Sequence, residues 1–436
     1  MSTSFKNQEE ILNKLKIEKL NPMQEEALTV IQSNDDIVLL SPTGTGKTLA
    51  FLLPIIADLD IESSEVQIMI LVPSRELAIQ IEQVIREMGT GFKANAVYGG
   101  RAGSQDKIDL KHRPAILIGT PGRLADHMRR ESFSAEHIKT LVFDEFDKSL
   151  EIGFAAEMTE IINAIPNVTK RILTSATQRI DIPKFVGLDK PIYIDYRHEK
   201  LKQLTVKRIV SPTSDVLDTL VKALAHLGNQ AGIIFCNFKD TIEDVSDYLN
   251  ENNIDHACFF GGMEQKDRER ALIKFRNGTH QLLIATDLAA RGIDVPEIKF
   301  IIHYQLPDRI QEFTHRNGRT ARMNADGAAY ILQWKGEKLP DYLPNLEEEV
   351  LNDAPTPESS NWQTLYVSGG RRDKISKGDI AGLFFKQANL ERDDLGVIEL
   401  KQDCAFVSVN ASKAKEIISK VNNSRLKKKK VRVSEI

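Results

Sequence analysis

Between residues 25 and 195 the chain alternates short, unbroken apolar runs with longer stretches whose apolar positions recur at helical spacing. "DIVLLSPTGTGKTLAFLLPII" reads as strand, glycine-rich turn and helix, and "IMILVPSRELAIQIEQVIREM" as strand, turn and helix. "AILIGTPGRLADHM", "TLVFDEFDKSL" and "KRILTSATQ" repeat the theme of a strand followed by a polar turn. Apolar runs of this length suit strands buried on both faces, and their alternation with helices predicts a parallel sheet. Such sheets carry their chemistry at the strand C-termini. The pattern resumes from about 205 to 335 with "AGIIFCNFKDTIEDVSDYL", "HQLLIATDLAARGID" and "KFIIHYQLP". Two α/β domains in tandem are therefore expected, over 1–196 and 205–342.

The pattern then breaks. Residues 343–361 include "NLEEEVLNDAPTPESSN", an acidic stretch with Pro355, Pro357 and two serines, and read as a linker. Beyond it, "TLYVSGG", "GVIELK", "CAFVSVN" and "KKVRVSEI" read as strands, while "GDIAGLFFKQANL" and "SKAKEIISKVN" read as helices. That βαββαβ order over 362–436 predicts an α+β module on the plan of RNA-recognition domains.

Composition changes this picture little and charge changes it more. The 436 residues are 41% hydrophobic and 28% charged, an ordinary globular balance. No apolar run approaches the ~18 residues that span a bilayer, so no membrane partner is expected. The three cysteines are widely spaced and suggest neither a metal site nor a disulfide framework, which fits a cytoplasmic protein. The net charge is −4, yet residues 361–436 hold 16 Lys and Arg against 9 Asp and Glu. A basic module on an acidic body suits a nucleic-acid partner, although a solvated lysine run reads the same from charge alone.

The sharpest chemical signal is "SPTGTGKT" (41–48), between a strand and an apolar helix. Pro42, Thr43, Gly44, Thr45, Gly46, Lys47 and Thr48 form a candidate phosphate loop, with Ser41 where the general pattern has its first glycine. Its N–H groups and the helix N-terminus attract phosphate, Lys47 adds a point charge, and Thr48 offers a hydroxyl to Mg²⁺. Such a loop needs an acid at the end of another strand, and Asp144, directly after "TLVF", fits. Glu145 is then placed to orient and deprotonate an attacking water. Alone the acidic turn says little; the upstream loop gives it meaning. In "HRNGRTAR" (315–322), Arg316, Arg319 and Arg322 suit one helical face, and guanidinium groups suit a γ-phosphate.

In order and spacing, these motifs resemble the DEAD-box RNA helicases across residues 1 to about 335. "LNPMQ", "SPTGTGKT", "PSRELA", "GG" (99–100), "TPGR", "DEFD", "SAT", "IIFCN", "ATDLAARGID" and "HRNGRTAR" carry the likeness. The resemblance implies two RecA-like domains that close on ATP and RNA. By position, Gln24 would read adenine, Asp294 would contact the nucleotide, and Arg319 and Arg322 would meet the γ-phosphate. Ser175 and Thr177 would couple hydrolysis to closure. Arg75, Gly100, Thr120, Gly122, Arg123, Arg268 and Thr286 would lie along the RNA backbone, where contacts read no sequence. Several positions depart from the family pattern. Leu20 and Asn21 replace Pro-Thr, Ile17 stands at an aromatic position, and Phe146 replaces alanine. Asn317 and Ala321 alter the arginine motif.

The tail resembles the RNA-binding domain of DbpA-type bacterial DEAD-box proteins, through "SGGRRDKISKGDIAGLF" and "KKKKVRVSEI". Tyr366 and Phe406 fit stacking positions, whereas Cys404 and Val409 stand where aromatics are usual. Binding through Arg371, Arg372, Lys374, Lys377 and the lysines 427–430 is therefore expected to outweigh the sheet face. The expected function is ATP-dependent unwinding of structured RNA, with ribosomal RNA among the targets that the resemblance suggests. The alternatives are an ATP-gated RNA clamp and a DNA helicase.

Overall fold

A computed structural model describes residues 7–100, 106, 108, 110–176, 181–197, 204–287, 298–320, 327–343 and 345–436. The chain forms two compact units, one on the first sheet and one holding the second sheet and the C-terminal module.

In the first unit, seven strands are β1 (Asp36–Leu40), β2 (Ile68–Leu71), β3 (Ala94–Val97), β4 (Ile116–Gly119), β5 (Thr140–Phe143), β6 (Lys170–Ser175) and β7 (Ile192–Asp195). All are parallel, in the order β3-β4-β2-β5-β6-β1-β7. The unbroken apolar runs follow from burial on both faces. Ile37, Leu39, Ile68, Ile70 and Val142 enter one core, and Val38, Leu40, Met69, Leu71 and Phe143 enter the other. Alternate side chains of one strand thus serve two helical layers.

The second unit repeats the plan with β8 (Leu204–Ser211), β9 (Gly232–Phe235), β10 (His256–Phe259), β11 (Leu282–Ala285), β12 (Phe300–His303), β13 (Gly327–Trp334) and β14 (Glu347–Glu348). The order is β10-β11-β9-β12-β13-β8-β14, again parallel. β14 lies in the stretch read as a linker. Its carboxylate neighbour Glu349 meets Lys207 Nζ at 2.5 Å and His226 Nε2 at 3.2 Å, which ties the start of that stretch to the domain.

The C-terminal module has β15 (Trp362–Val367), β16 (Leu395–Leu400), β17 (Ala405–Asn410), a short hairpin of β18 (Arg425–Leu426) and β19 (Lys429–Lys430), and β20 (Val433–Glu435). The main sheet runs β16-β17-β15-β20 and is antiparallel. Helices Lys377–Gln387 and Ala414–Val421 cover one face with Ile380, Leu383, Phe384, Ile417 and Val421. The fold class read from the sequence, two RecA-like parallel-sheet domains and an α+β module, is the one observed.

Candidate active site

The first unit gathers its chemistry along the C-terminal edge of the sheet. The phosphate loop leaves β1 and opens the helix Lys47–Ala57. Gly44 and Gly46 take φ of 82° and 86°, a left-handed turn that glycine adopts without a Cβ penalty. A Cβ on Gly46 would also stand 2.5 Å from Gln24 Nε2. Ser41, the departure from the general loop pattern, is buried, and its hydroxyl meets Thr45 Oγ1 at 2.7 Å. Thr45 Oγ1 also reaches the Pro42 carbonyl at 2.9 Å, so side chains brace the loop from within. Lys47 Nζ donates to the carbonyls of Ser41 and Pro42 at 2.6 and 2.7 Å. Its charge is held inside the loop concavity.

Asn21 and Gln24 brace the loop from outside. Together they close a capping box on the helix Pro22–Ser33. Asn21 Nδ2 donates to the Thr45 carbonyl at 3.0 Å, and Gln24 Nε2 to the Gly46 carbonyl at 3.3 Å. Ile17 packs against the first core.

The acidic pair follows β5. Asp144 is 3% exposed, and burial, reinforced by the neighbouring Glu145 charge, pushes its carboxyl up to about 6. Thr174 Oγ1 donates to Asp144 Oδ1, and Lys47 also favours the ionised form. The Glu145 N–H donates to Asp144 Oδ1 at 3.1 Å and to Thr174 Oγ1 at 3.2 Å. Glu145 takes φ +49°, ψ +50°, a conformation costing a non-glycine residue roughly 1–2 kcal/mol. Burial raises the carboxyl of Asp147 as well, while Lys148 and the Ser175 hydroxyl act in the opposite direction. Ser175 ends β6, and its carbonyl accepts from Ser41 N at 3.1 Å. Phe146 is fully buried and packs edge-on against Phe143, with ring centroids 5.7 Å apart. It fills the core beneath the acids.

The candidate RNA residues of this unit occupy the other half of the same edge, beyond β2, β3 and β4. Arg75 begins the helix Arg75–Met88, and its Nη1 lies 2.7 Å from where a Cβ on Gly100 would stand. Thr120 caps the helix Pro121–Arg129, whose first turn carries Gly122 and Arg123. Arg123 is clamped by Asp106, through Nε at 2.9 Å and Nη2 at 2.7 Å, and by Asp126 at 3.1 Å. Asp106 also meets His127 Nε2 at 3.0 Å.

In the second unit, the expectation of one helical face bearing three arginines fails. The helix Ile310–Asn317 ends before Arg319, because Gly318 disfavours its continuation by about 1 kcal/mol. Arg316 turns inward instead. It is 1% exposed, grips Asp287 with two bonds, reaches the Gln305 carbonyl and Asn237, and stacks over Phe235. Arg319 is 7% exposed and follows the helix end. Arg268 sits over the Phe259 ring at 4.9 Å, and Thr286 follows β11. Thr177, Asp294 and Arg322 lie outside the described residues.

In the module, Lys429 pairs with Asp373 at 2.7 Å, Lys427 with Asp379 at 3.1 Å, and Arg372 with Asp403 at 3.0 Å. The first two pairs tie the β18–β19 hairpin to the 371–379 segment, so both basic stretches share one edge. The Lys429 ammonium holds the Asp373 carboxyl below its ordinary range. Lys374, Lys377, Lys428 and Lys430 are exposed on that edge.

Sequence reasoning missed Thr174, Asp106 and Asp287. Thr174 directly precedes "SAT" and was within reach of a motif argument. Asp106 and Asp287 act by meeting arginines far away in sequence, and nothing local marks them.

A phosphate loop and a strand-end acid pair on a parallel sheet define a P-loop nucleoside triphosphatase. The signature of the DEAD/DEAH box helicase family matches residues 21–185. That of the helicase conserved C-terminal domain matches 215–324, and that of the DbpA RNA binding domain 364–435. The ATP-dependent RNA helicase DbpA of Bacillus subtilis (strain 168) is 29% identical, over 94% of this chain and 94% of its own length. The ATP-dependent RNA helicase FAL1 of Eremothecium gossypii is 33% identical, over 75% of this chain and 85% of its own. A solved structure of S. cerevisiae Dbp5 bound to RNA and ADP BeF3 matches with a TM-score of 0.67 and 26% identity, covering 76% of this chain and 88% of that one. The chain belongs to the DEAD-box family of ATP-dependent RNA helicases, with a DbpA-type RNA-binding domain at its C-terminal end. It binds ATP and RNA. No helix among the described residues is long and apolar enough to cross a membrane.

Proposed function

We propose that this helicase couples ATP hydrolysis to local opening of structured RNA, with ribosomal RNA in the cytoplasm as its target. The observation that carries the first part is the division of one sheet edge. Lys47, Asp144 and Glu145 occupy the end near β1, β5 and β6, and Arg75, Gly100, Thr120, Gly122 and Arg123 the end near β2, β3 and β4. One rigid sheet therefore joins nucleotide chemistry to backbone grip.

The residues fit a divalent ion. Asp144 is a carboxylate whose ionisation is disfavoured by burial and by the neighbouring Glu145 charge, and Thr48 stands on the helix that the phosphate loop opens. Thr48 and Asp144 would hold Mg²⁺, which when bound neutralises phosphate charge. Lys47 leaves the loop carbonyls for the phosphate oxygens. Glu145, held by its N–H on Asp144 and Thr174, accepts the proton of the attacking water. Arg319 and Arg322 meet the developing γ-phosphate charge, with Asp294 near the nucleotide. Gln24, bonded to the Gly46 carbonyl beside the loop, reads adenine through its remaining amide donor and acceptor. Ser175 and Thr177 couple hydrolysis to domain closure. Arg268 and Thr286 add backbone contacts, and Arg371, Arg372 and Lys374 anchor the tail, raising the local RNA concentration.

Strand separation tests the reading. A short fluorescent RNA duplex with a single-stranded extension should separate with ATP and stay paired with a non-hydrolysable analogue. ATPase stimulation by single-stranded RNA without separation would assign a clamp. Equal stimulation by DNA of the same sequence would assign a DNA helicase.

A further inference from the structure

The helix Lys239–Glu251 of the second RecA-like domain begins at Phe238. Its ring is 66% exposed, more than that of any other aromatic among the described residues. The position serves folding poorly on two counts. An N-cap residue stabilises its helix by accepting from the free N–H groups of the first turn, and phenylalanine has no acceptor to offer. A ring left in water also gains little from the hydrophobic effect. Single exposed apolar residues are common on protein surfaces, so the surroundings decide what this one does.

Phe238 lies beyond the C-terminal end of β9, and β11 and then β10 are the strands beside it. Phe235, Ala285 and Phe259 stand level in these three strands. The turns that follow therefore share one stretch of the sheet edge. Phe238 and Lys239 follow β9, Thr286 follows β11, and Phe260, Gly261 and Gly262 follow β10. The Thr286 N–H donates to the Phe259 carbonyl at 3.4 Å, which joins two of these turns. Lys239 Nζ lies 5.9 Å from the Phe260 ring centroid and pairs with Glu243 at 3.2 Å. Arg268 lies over the neighbouring Phe259 ring. Gly262 takes φ +95°, and beyond their chain neighbours nothing stands within 4 Å of where a Cβ on Gly261 or Gly262 would be. The edge thus combines bare backbone open to close approach, two cations and one exposed ring.

We propose that Phe238 is a stacking platform for one unstacked base of the bound RNA strand. The sugar-phosphate chain passes over Thr286, Arg268 and the open glycine pair, and one base turns against the Phe238 ring. Lys239, drawn toward Phe260, adds positive charge beside the strand. Every base has a π-face, so the contact strengthens the grip without selecting a sequence. A core whose other RNA contacts are to the backbone thereby gains one contact to a base. A base held on Phe238 is withheld from its pairing partner, so the platform favours the separated strand over the duplex. The proposal rests on the reading of Arg268 and Thr286 as backbone contacts, and its test separates the two.

The test uses the full chain, a non-hydrolysable ATP analogue and two fluorescein-labelled single strands of equal length. One is oligouridylate, and the other is the same ribose-phosphate chain without bases. The quantity read is the gain in affinity that the analogue brings, which reports the core and not the tail. On oligouridylate, Phe238→Ala should lose about tenfold of the wild-type affinity, and Phe238→Trp should keep it. On the base-free strand, wild type and Phe238→Ala should bind equally, because the ring has nothing to stack on. Affinity of Phe238→Ala within about twofold of wild type on oligouridylate would overturn the proposal. So would an equal loss on both strands, which marks a structural effect, or a loss in Phe238→Trp as large as in Phe238→Ala. A wild-type chain whose RNA affinity does not respond to the analogue would sink the backbone reading itself. Analogue-dependent binding that is indifferent to Phe238 would sink the stacking alone.

Discussion

Asp144→Asn should make the nucleotide-free enzyme more stable while abolishing its ATPase. The carboxyl is buried and its pKa in the folded state is about 6, against 3.8 for the unreacted group. A group whose acid form is favoured by folding costs stability as pH rises through that interval, and the cost is constant above it. Two units of pKa correspond to ~3 kcal/mol at pH 8, falling to roughly half of that at pH 5 and to almost nothing below pH 3. Asparagine is uncharged at every pH and its oxygen can still accept from Thr174 and from the Glu145 N–H. Urea unfolding of both proteins with a chelator, at pH 8 and pH 5, measures the difference. The variant should gain about 3 kcal/mol at pH 8 and about half of that at pH 5. A variant that is less stable at both pH values, or a gain that does not shrink in acid, would refute the reading of Asp144 as a charge held buried for a cation.

Three further outcomes are expected. Glu145→Gln should abolish steady-state turnover while ATP and RNA still bind; wild-type ATPase would remove Glu145 from the proton transfer. Phe146→Ala should cost the first unit about 3–5 kcal/mol in denaturant unfolding, since it empties a fully buried site, and an unchanged midpoint would contradict its core role. Replacing Lys374, Lys428 and Lys430 by alanine should flatten the dependence of log affinity on log salt by about 2, from ~0.7 per lost phosphate contact on single-stranded RNA; an unchanged slope would place RNA elsewhere.

The parallel sheets were legible because burial on both faces writes itself as unbroken apolar runs. "DIVLL" and "IMIL" needed no long-range knowledge. The phosphate loop and acid pair were legible because each follows a strand and the chemistry demands both. The arginine motif misled because a three-residue spacing imitates a helical face, yet Gly318 ends the helix and Arg316 is drawn into the core by Asp287. That partner is 29 residues away, and no local pattern announces it. The same holds for Asp106 on Arg123. The outer sheet face was half visible: Cys404 suggested a weak stacking surface, whereas Val409, also read as a stacking position, alternates inward into the module's own core, and only the fold shows the turn 276–279 seated on the outer face. Linker composition was similarly ambiguous. "EEE" reads as solvated charge, whereas two of its residues form an edge strand beside β8 and the third is held by Lys207 and His226.

The central claim is that a triphosphate held by the Lys47 loop is cleaved with help from an arginine of the second RecA-like domain. Single-turnover ATP hydrolysis by Arg319→Ala at saturating RNA tests it most directly, with circular dichroism and ATP binding confirming an intact fold. The account predicts a fall of about 10³-fold or more in the hydrolysis rate with ATP and RNA still bound. Hydrolysis at the wild-type rate would contradict it.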